Sequence, residues 1–164
     1  MSVGAEILAT YRDPAGPVGR LLASGPREDR ALVIVMAAGL LMFVARAPSL
    51  ARAAHIDPSV PLEARLGITL FIMLFILPLL AYGIALGAHM VMRILRFQGT
   101  ASGARVALFW AMLAIAPASL LHGFCDGFVG QVAWVQLLGA AVFAGFLWFW
   151  MRGMVVAYRR EGAA

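Results

Sequence analysis

The residues whose spacing best suits chemistry are Tyr82, His89 and Arg93, which lie in one long apolar stretch. Separations of seven and eleven residues from Tyr82 place all three on one face of an α-helix. A histidine aligned with a tyrosine and an arginine could relay protons or bind an anion. In the alternative, structural role, the histidine forms a hydrogen bond to a neighbouring helix and the arginine marks the helix end. The spacing leaves both interpretations open.

Two further polar pairs follow later in the chain. His122 and Asp126 are four residues apart and would supply half of a metal site on a helix. A complete site needs more ligands, and the sequence has only three histidines and one cysteine, Cys125. We therefore predict no metal site, and we expect Cys125 to behave as a small hydrophobic residue. The other pair, Gln131 and Gln136, is explained by interfacial and interhelical hydrogen bonds.

Motifs that carry catalysis are missing from the sequence. It contains neither a serine, histidine and aspartate set, nor a glycine-rich phosphate loop, nor paired carboxylates within an apolar stretch. We therefore expect no catalytic residue, no cofactor and no enzymatic activity.

Composition indicates the environment in which these residues act. Hydrophobic residues make up 63% of the 164 residues, charged residues make up 13%, and the mean hydropathy is +0.90. These values exclude an ordinary soluble domain and predict a protein embedded in membrane lipids. The net charge is +5, but the arginines stand beside apolar stretches, so orientation in a bilayer explains them better than nucleic-acid binding does.

The apolar stretches define the fold class. Crossing a bilayer takes roughly 17 to 25 helical residues, and four stretches approach or exceed that length, over about 31–47, 66–94, 106–121 and 132–151. We predict an all-α, polytopic membrane protein in which four transmembrane helices form one bundle over residues 31–158. Residues 159–164 would form a short tail.

Prolines predict where these helices end or bend. Pro48 is expected to end the first span, with Arg46 extending outward to the headgroups; the alternative for Arg46 is a charge that lines a pathway. Pro78 and Pro117 are candidate kinks within the second and third spans. The sequence over 122–127 is expected to form a turn after the third span.

Small residues predict close helix packing. Gly83 and Gly87 form a small-xxx-small motif on the second span, which a partner helix is expected to cover. Alanines three or four residues apart form a narrow stripe on the third span. Its candidate packing residues are Ala107, Ala111, Ala114 and Ala118.

The first part of the chain contains segments that suit a membrane surface. The first 30 residues contain two short amphipathic helical segments separated at Asp13-Pro14. We expect them to lie along the membrane face, and a loosely ordered tail is the alternative.

The arginines predict the orientation of the protein. Ten of the thirteen arginines fall on one side of the predicted topology, and Arg46, Arg52 and Arg65 fall on the other. The positive-inside rule then places both termini in the cytoplasm.

Three segments of the chain resemble the Yip1 family of polytopic membrane proteins. They read Ala88-His89-Met-Val-Met-Arg93, Gly99-Thr100-Ala-Ser102-Gly103-Ala-Arg105 and Ala114-Ile-Ala-Pro117. Asp13-Pro14 followed by Val18-x-Arg20-Leu21-Leu22 is similar to the segment before the first span of bacterial members. The resemblance covers roughly residues 13 to 150 and implies a multi-pass protein of the bacterial inner membrane. Many members have five spans, and the acidic aromatic signature of eukaryotic members is missing here, so their association with small GTPases is not carried over.

Two functions remain in view. We expect the protein to act as an interaction partner, organiser or accessory subunit of other membrane proteins, with a different membrane protein or a second copy as its partner. The alternative is a small transporter or channel subunit that uses Tyr82, His89 and Arg93 as a polar track, with prolines as hinges. The two hypotheses differ in whether His89 and Arg46 face a water-filled cavity or lie in a dry bundle.

Overall fold

A computed structural model describes residues 3–25 and 27–159, and every regular element in these two ranges is helical. The fold is therefore all-α, as predicted. The elements are α1 (Val3–Arg12), α2 (Gly16–Ala23), α3 (Glu28–Ile56), α4 (Leu62–Phe71), a π-helix (Ile72–Ile76), α5 (Leu77–Ile94), α6 (Ala101–Ala114), α7 (Ala116–Phe128) and α8 (Ala133–Arg159). The tail predicted for 159–164 lies almost wholly outside the described residues.

The long helices have the length and composition of membrane spans. Among the described residues, three segments qualify by themselves: α3, the continuous run from α4 to α5, and α8. The pair α6 and α7 qualifies together, with a bend of 43° between its two helices, and makes a fourth span if it counts as one. The chain is thus a multi-span helical protein, as the apolar stretches predict.

Two predicted helix ends are wrong. Pro48 does not end the first span, because α3 continues through it to Ile56. Proline is tolerated inside membrane-spanning helices, and here Pro48 lies in the close contact with Gly127 of α7. The segment 122–127 is not a turn either, since α7 runs through it to Phe128.

The second and third spans are irregular beside their prolines. Proline lacks the N–H that would bond four residues back. Before Pro78 the helix widens into the π-helix, and the N–H of Leu77 bonds to the carbonyl of Ile72. In the third span the break falls at Ile115, and Pro117 occupies the first turn of α7, where its missing N–H costs least.

Helix α6 is the central element of the bundle. The hydroxyl of Thr100 caps its start by accepting the N–H of Gly103 at 3.1 Å. Nearly all of α6 from Gly103 to Ala114 is buried against α3, α5 and α8. Arg105, near the start of α6, forms a salt bridge of 2.8 Å with Glu28 at the start of α3. The first and third spans therefore begin at the same end of the bundle, as an even number of crossings requires.

Glycines bring α3 and α7 into backbone contact. A Cβ atom at Gly123 would lie 1.9 Å from the carbonyl oxygen of Ala45, and one at Gly127 would lie 2.3 Å from Cβ of Pro48. Real Cβ atoms do not approach so closely, so only glycine allows these contacts. This Gly123-x-x-x-Gly127 pairing fixes the position of α7 on α3.

The amino-terminal helices pack against the bundle, a contact that their amphipathic spacing does not predict, and their position along the membrane face stays a prediction. Helices α1 and α2 form a hairpin, held by Arg20 Nε and Glu6 Oε1 at 3.2 Å, that packs on α6 and α8. Val18 is 1% exposed and Thr10 is fully buried. The Thr10 hydroxyl donates to the Glu6 carbonyl at 2.9 Å and accepts the indole N–H of Trp110 at 3.0 Å. The apolar face of α2 is thus covered by protein, whereas Val3 and Leu8 on α1 remain exposed.

Candidate functional site

The three residues of the predicted polar track have different surroundings in the structure. Tyr82 packs edge-on against Phe109, with ring centroids 4.9 Å apart, and the guanidinium carbon of Arg105 lies 5.8 Å from its ring centre. His89 Nδ1 lies 2.7 Å from the hydroxyl oxygen of Tyr158 on α8. Arg93 is exposed near the end of α5. The three residues share a helix, but each has different surroundings.

The small residues fall on two distinct surfaces. Ala107, Ala111 and Ala114 are buried within α6, and Ala118 is half-buried on α7. Gly83 and Gly87 lie on the outer face of α5, where a Cβ atom at either position would have no side chain and no neighbouring helix of the described residues within 4 Å. These two glycines therefore present an uncovered surface.

A polar cavity of about 420 Å³ lies between α3, the π-helix, α7 and α8. It brings together Arg46 from α3 and two polar pairs that are separate in the sequence, His122 with Asp126 and Gln131 with Gln136. Its polar lining consists of Arg46, Ser49, Ser119, His122, Asp126, Gln131 and Gln136. Arg46 is exposed, so its extension to the headgroups stays a prediction, and sequence spacing does not connect it with His122 or Asp126.

Close helix contacts build this cavity. The approach of Gly123 to Ala45 holds α7 against α3 beside Arg46. The His122 ring lies against Gly139 of α8, where a Cβ atom would come within 2.7 Å of Nε2. Small residues thus set the spacing of the helices that carry the polar side chains.

Opposite charges in the cavity remain apart. Within the described part of the chain, neither Arg46 nor Asp126 has an oppositely charged side chain within 4.0 Å. Residues 3–25 and 27–159 also contain no group of three or more histidine, cysteine, aspartate or glutamate residues placed to hold a metal. The cavity therefore offers one cation, one anion and several neutral hydrogen-bonding groups, which suits a polar ligand rather than a metal ion.

An apolar groove of about 530 Å³ adjoins the polar cavity. Its floor is formed by Leu108, Met112 and Ile115 of the third span, and α5 and α8 form its walls. Met42, Ser119 and Val142 line both spaces. Trp150 also lines the groove, and its indole nitrogen is buried with no hydrogen-bond partner among the described residues.

Neither a protein family model, nor a curated protein, nor a solved structure matches this chain significantly. The geometry of the chain itself is therefore the basis for its interpretation. One useful signal was present in the sequence: Gly123 and Gly127 have the same spacing as Gly83 and Gly87, and they form the closest contact between α3 and α7.

Proposed function

We propose that this protein is an interaction partner, organiser or accessory subunit of other membrane proteins, and that a partner's transmembrane helix docks on the outer face of α5. The observation that carries this proposal is the open surface at Gly83 and Gly87. Alanines on the opposite face, Ala81 at 3% exposure and Ala85 at 0%, already serve the internal packing of the bundle. The glycines are therefore not needed to pack α5 against the other described helices.

Physical chemistry favours a helix as the occupant of this surface. Association in lipid depends on close packing, and paired small residues let two helix backbones approach each other. The sequence has no Asp, Glu, Lys or Arg between Arg65 and Arg93. Large apolar side chains flank the glycines and are exposed, among them Leu79, Leu86, Met90 and Val91. A second helix could pack between these side chains onto the glycines.

The finer assignment of the protein belongs to the same proposal. The sequence resemblance supports a Yip1-type protein of the bacterial inner membrane, and the arginine distribution supports cytoplasmic termini. We propose that the protein is not an enzyme, since it contains none of the usual catalytic constellations.

A small transporter or channel subunit is the second candidate. The polar cavity beside Arg46 supports it, because an ionisable residue inside a span often marks a solute pathway. The predicted track supports it less, since His89 is bonded to Tyr158 in a contact between helices.

Co-purification tests the first proposal. The tagged full-length protein is extracted from its native membranes in a mild detergent, and stoichiometric companions are identified by mass spectrometry. Gly83→Leu and Gly87→Leu are compared with Gly67→Leu, which also adds a side chain at an open position in the same span. We expect both test variants to insert normally and lose the companion, whereas Gly67→Leu keeps it.

Each outcome has a distinct meaning. A companion retained by both test variants would contradict docking on this face. If the only companion is a second copy of the chain, loss of that copy in Gly83→Leu and Gly87→Leu would identify a homo-oligomer that uses the same surface. A solitary wild-type chain would reject the partner proposal, and solute flux in liposomes would then test the transporter.

A further inference from the structure

The polar cavity and the apolar groove lie side by side, and together they are called the composite space. They share Met42, Ser119 and Val142, so a ligand that occupies both would pass these three side chains. One part offers charges and hydrogen-bonding groups, and the other offers almost only hydrocarbon. A ligand that fills this space must therefore have a polar end and an apolar end.

The charges of the polar part define the ligand's head. Arg46 projects from α3 and Asp126 from α7, and each lacks an ion-pair partner among the described side chains. Arg46 is exposed and Asp126 is half-buried, so both charges are available to a ligand of opposite charge. The cavity thus presents one guanidinium and one carboxylate, so it best complements a head that carries one negative and one positive group.

The groove defines the ligand's tail. Leu80 and Ile84 of α5 form one wall, and Phe143 and Leu147 of α8 form the other. Ile84 is 51% exposed and Phe143 is 61% exposed, so the groove opens sideways to the surrounding hydrocarbon. A single acyl chain could enter it from the bilayer without dehydration of any polar group.

We propose that this composite space binds one zwitterionic phospholipid. The phosphate lies toward the Arg46 guanidinium, the head-group ammonium lies toward the Asp126 carboxylate, and one acyl chain lies in the groove. Arginine suits phosphate because its planar guanidinium can donate two parallel hydrogen bonds. Each part of the space also falls within the roughly 300–1,000 Å³ of typical ligand pockets.

Native mass spectrometry of the full-length protein tests this proposal. The protein is equilibrated with equal amounts of phosphatidylethanolamine, phosphatidylglycerol and oleate, and the retained molecules are counted. We expect one retained phosphatidylethanolamine per chain. Arg46→Gln should lower its retention about tenfold, because a charge-assisted hydrogen bond is lost. Asp126→Asn should shift the preference toward phosphatidylglycerol, since the site would then carry a net positive charge.

A matched pair of variants tests the groove. Ile84→Trp adds bulk to a residue that lines it, whereas Leu86→Trp makes the same kind of change at a similarly exposed α5 residue that does not. We expect Ile84→Trp to reduce lipid retention and Leu86→Trp to leave it unchanged.

Several results would overturn the proposal. They are wild-type retention that does not depend on the headgroup, a wild-type preference for phosphatidylglycerol or oleate, and full retention by Arg46→Gln. The Arg46 side chain forms no hydrogen bond to another described residue, so its replacement should not prevent folding. If Arg46→Gln nevertheless fails to fold, the lipid preference of Asp126→Asn decides the question.

Discussion

A hydrogen bond joins His89 to Tyr158, with 2.7 Å between the ring Nδ1 and the phenolic oxygen, and links α5 to α8 at the end of the bundle that carries Glu28. His89 is thus part of a contact between two spans. We expect Tyr158→Phe to destabilise the protein by about 0.5–1.5 kcal/mol, the usual net contribution of one such bond. Thermal unfolding in detergent measures this change.

Variants of His89 and Tyr158 distinguish a packing role of His89 from a transport role. If His89 only joins α5 to α8, His89→Ala and Tyr158→Phe should lower stability and leave proton flux in liposomes unchanged. Flux that disappears in His89→Ala but persists in an equally destabilised Tyr158→Phe variant would instead give His89 a role in a pathway.

The buried pair of Thr10 and Trp110 leads to a second prediction. Thr10→Val keeps the side-chain shape but removes the acceptor of the Trp110 indole N–H, which then loses its partner in a buried site. We expect a loss of about 1–3 kcal/mol and faster proteolysis of the α1 and α2 hairpin. Thr10→Ser retains the hydroxyl and serves as the control. Equal proteolysis of Thr10→Val and the wild type would show that this bond does not hold the hairpin.

Two glycine positions give opposite expectations for the same substitution. Gly123→Ala places a Cβ atom against the Ala45 carbonyl and must separate α3 from α7, at a cost of about 1–3 kcal/mol or more. Gly83→Ala meets open space and should be neutral or stabilising by up to about 1 kcal/mol, because alanine favours the helix. Unfolding temperatures of the two variants compare them directly. Similar stability in both would contradict the close α3 and α7 contact.

The fold class follows from the sequence because lipid allows few solutions. A backbone that crosses hydrocarbon must satisfy its hydrogen bonds internally, so long apolar stretches become helices. The predicted helix ends were wrong where tertiary packing overrides the local sequence preference for a helix end. Pro48 and the segment 122–127 look like helix terminators, yet both lie in helices at the contact formed by Gly127 and Pro48.

The candidate site depends on contacts between residues far apart in the sequence, which local spacing cannot predict. The spacing of His122 and Asp126 places them on one face of a helix, but nothing local connects them to Arg46, which is far away in sequence. Their meeting depends on the way Gly123 and Gly127 bring α7 onto α3. Amphipathic spacing likewise predicted an apolar face on α2. The spacing alone does not tell whether Val18 faces lipid or the rest of the protein.

The loop between α3 and α4 gives a prediction for pH. Hydrogen bonds from Ser59 hold the pKa of the Asp57 carboxyl below its ordinary value of 3.8, and Arg65 contributes in the same direction. A lowered pKa means that folding favours the carboxylate, so this stabilisation is complete above the ordinary value and is lost as the pH falls through the lowered one. The backbone N–H of Ser59, which donates to Asp57 Oδ1 at 3.1 Å, reports this change.

Hydrogen exchange of that Ser59 amide, corrected for the intrinsic pH dependence, measures the effect. We expect its protection to fall in the acid range below the ordinary pKa of Asp57. Asp57→Asn keeps a neutral acceptor and should show protection that does not change across this range, while Asp57→Ala should lack protection at every pH. A wild-type acid transition that persists in Asp57→Asn would assign it to a different group, because an amide side chain does not titrate there.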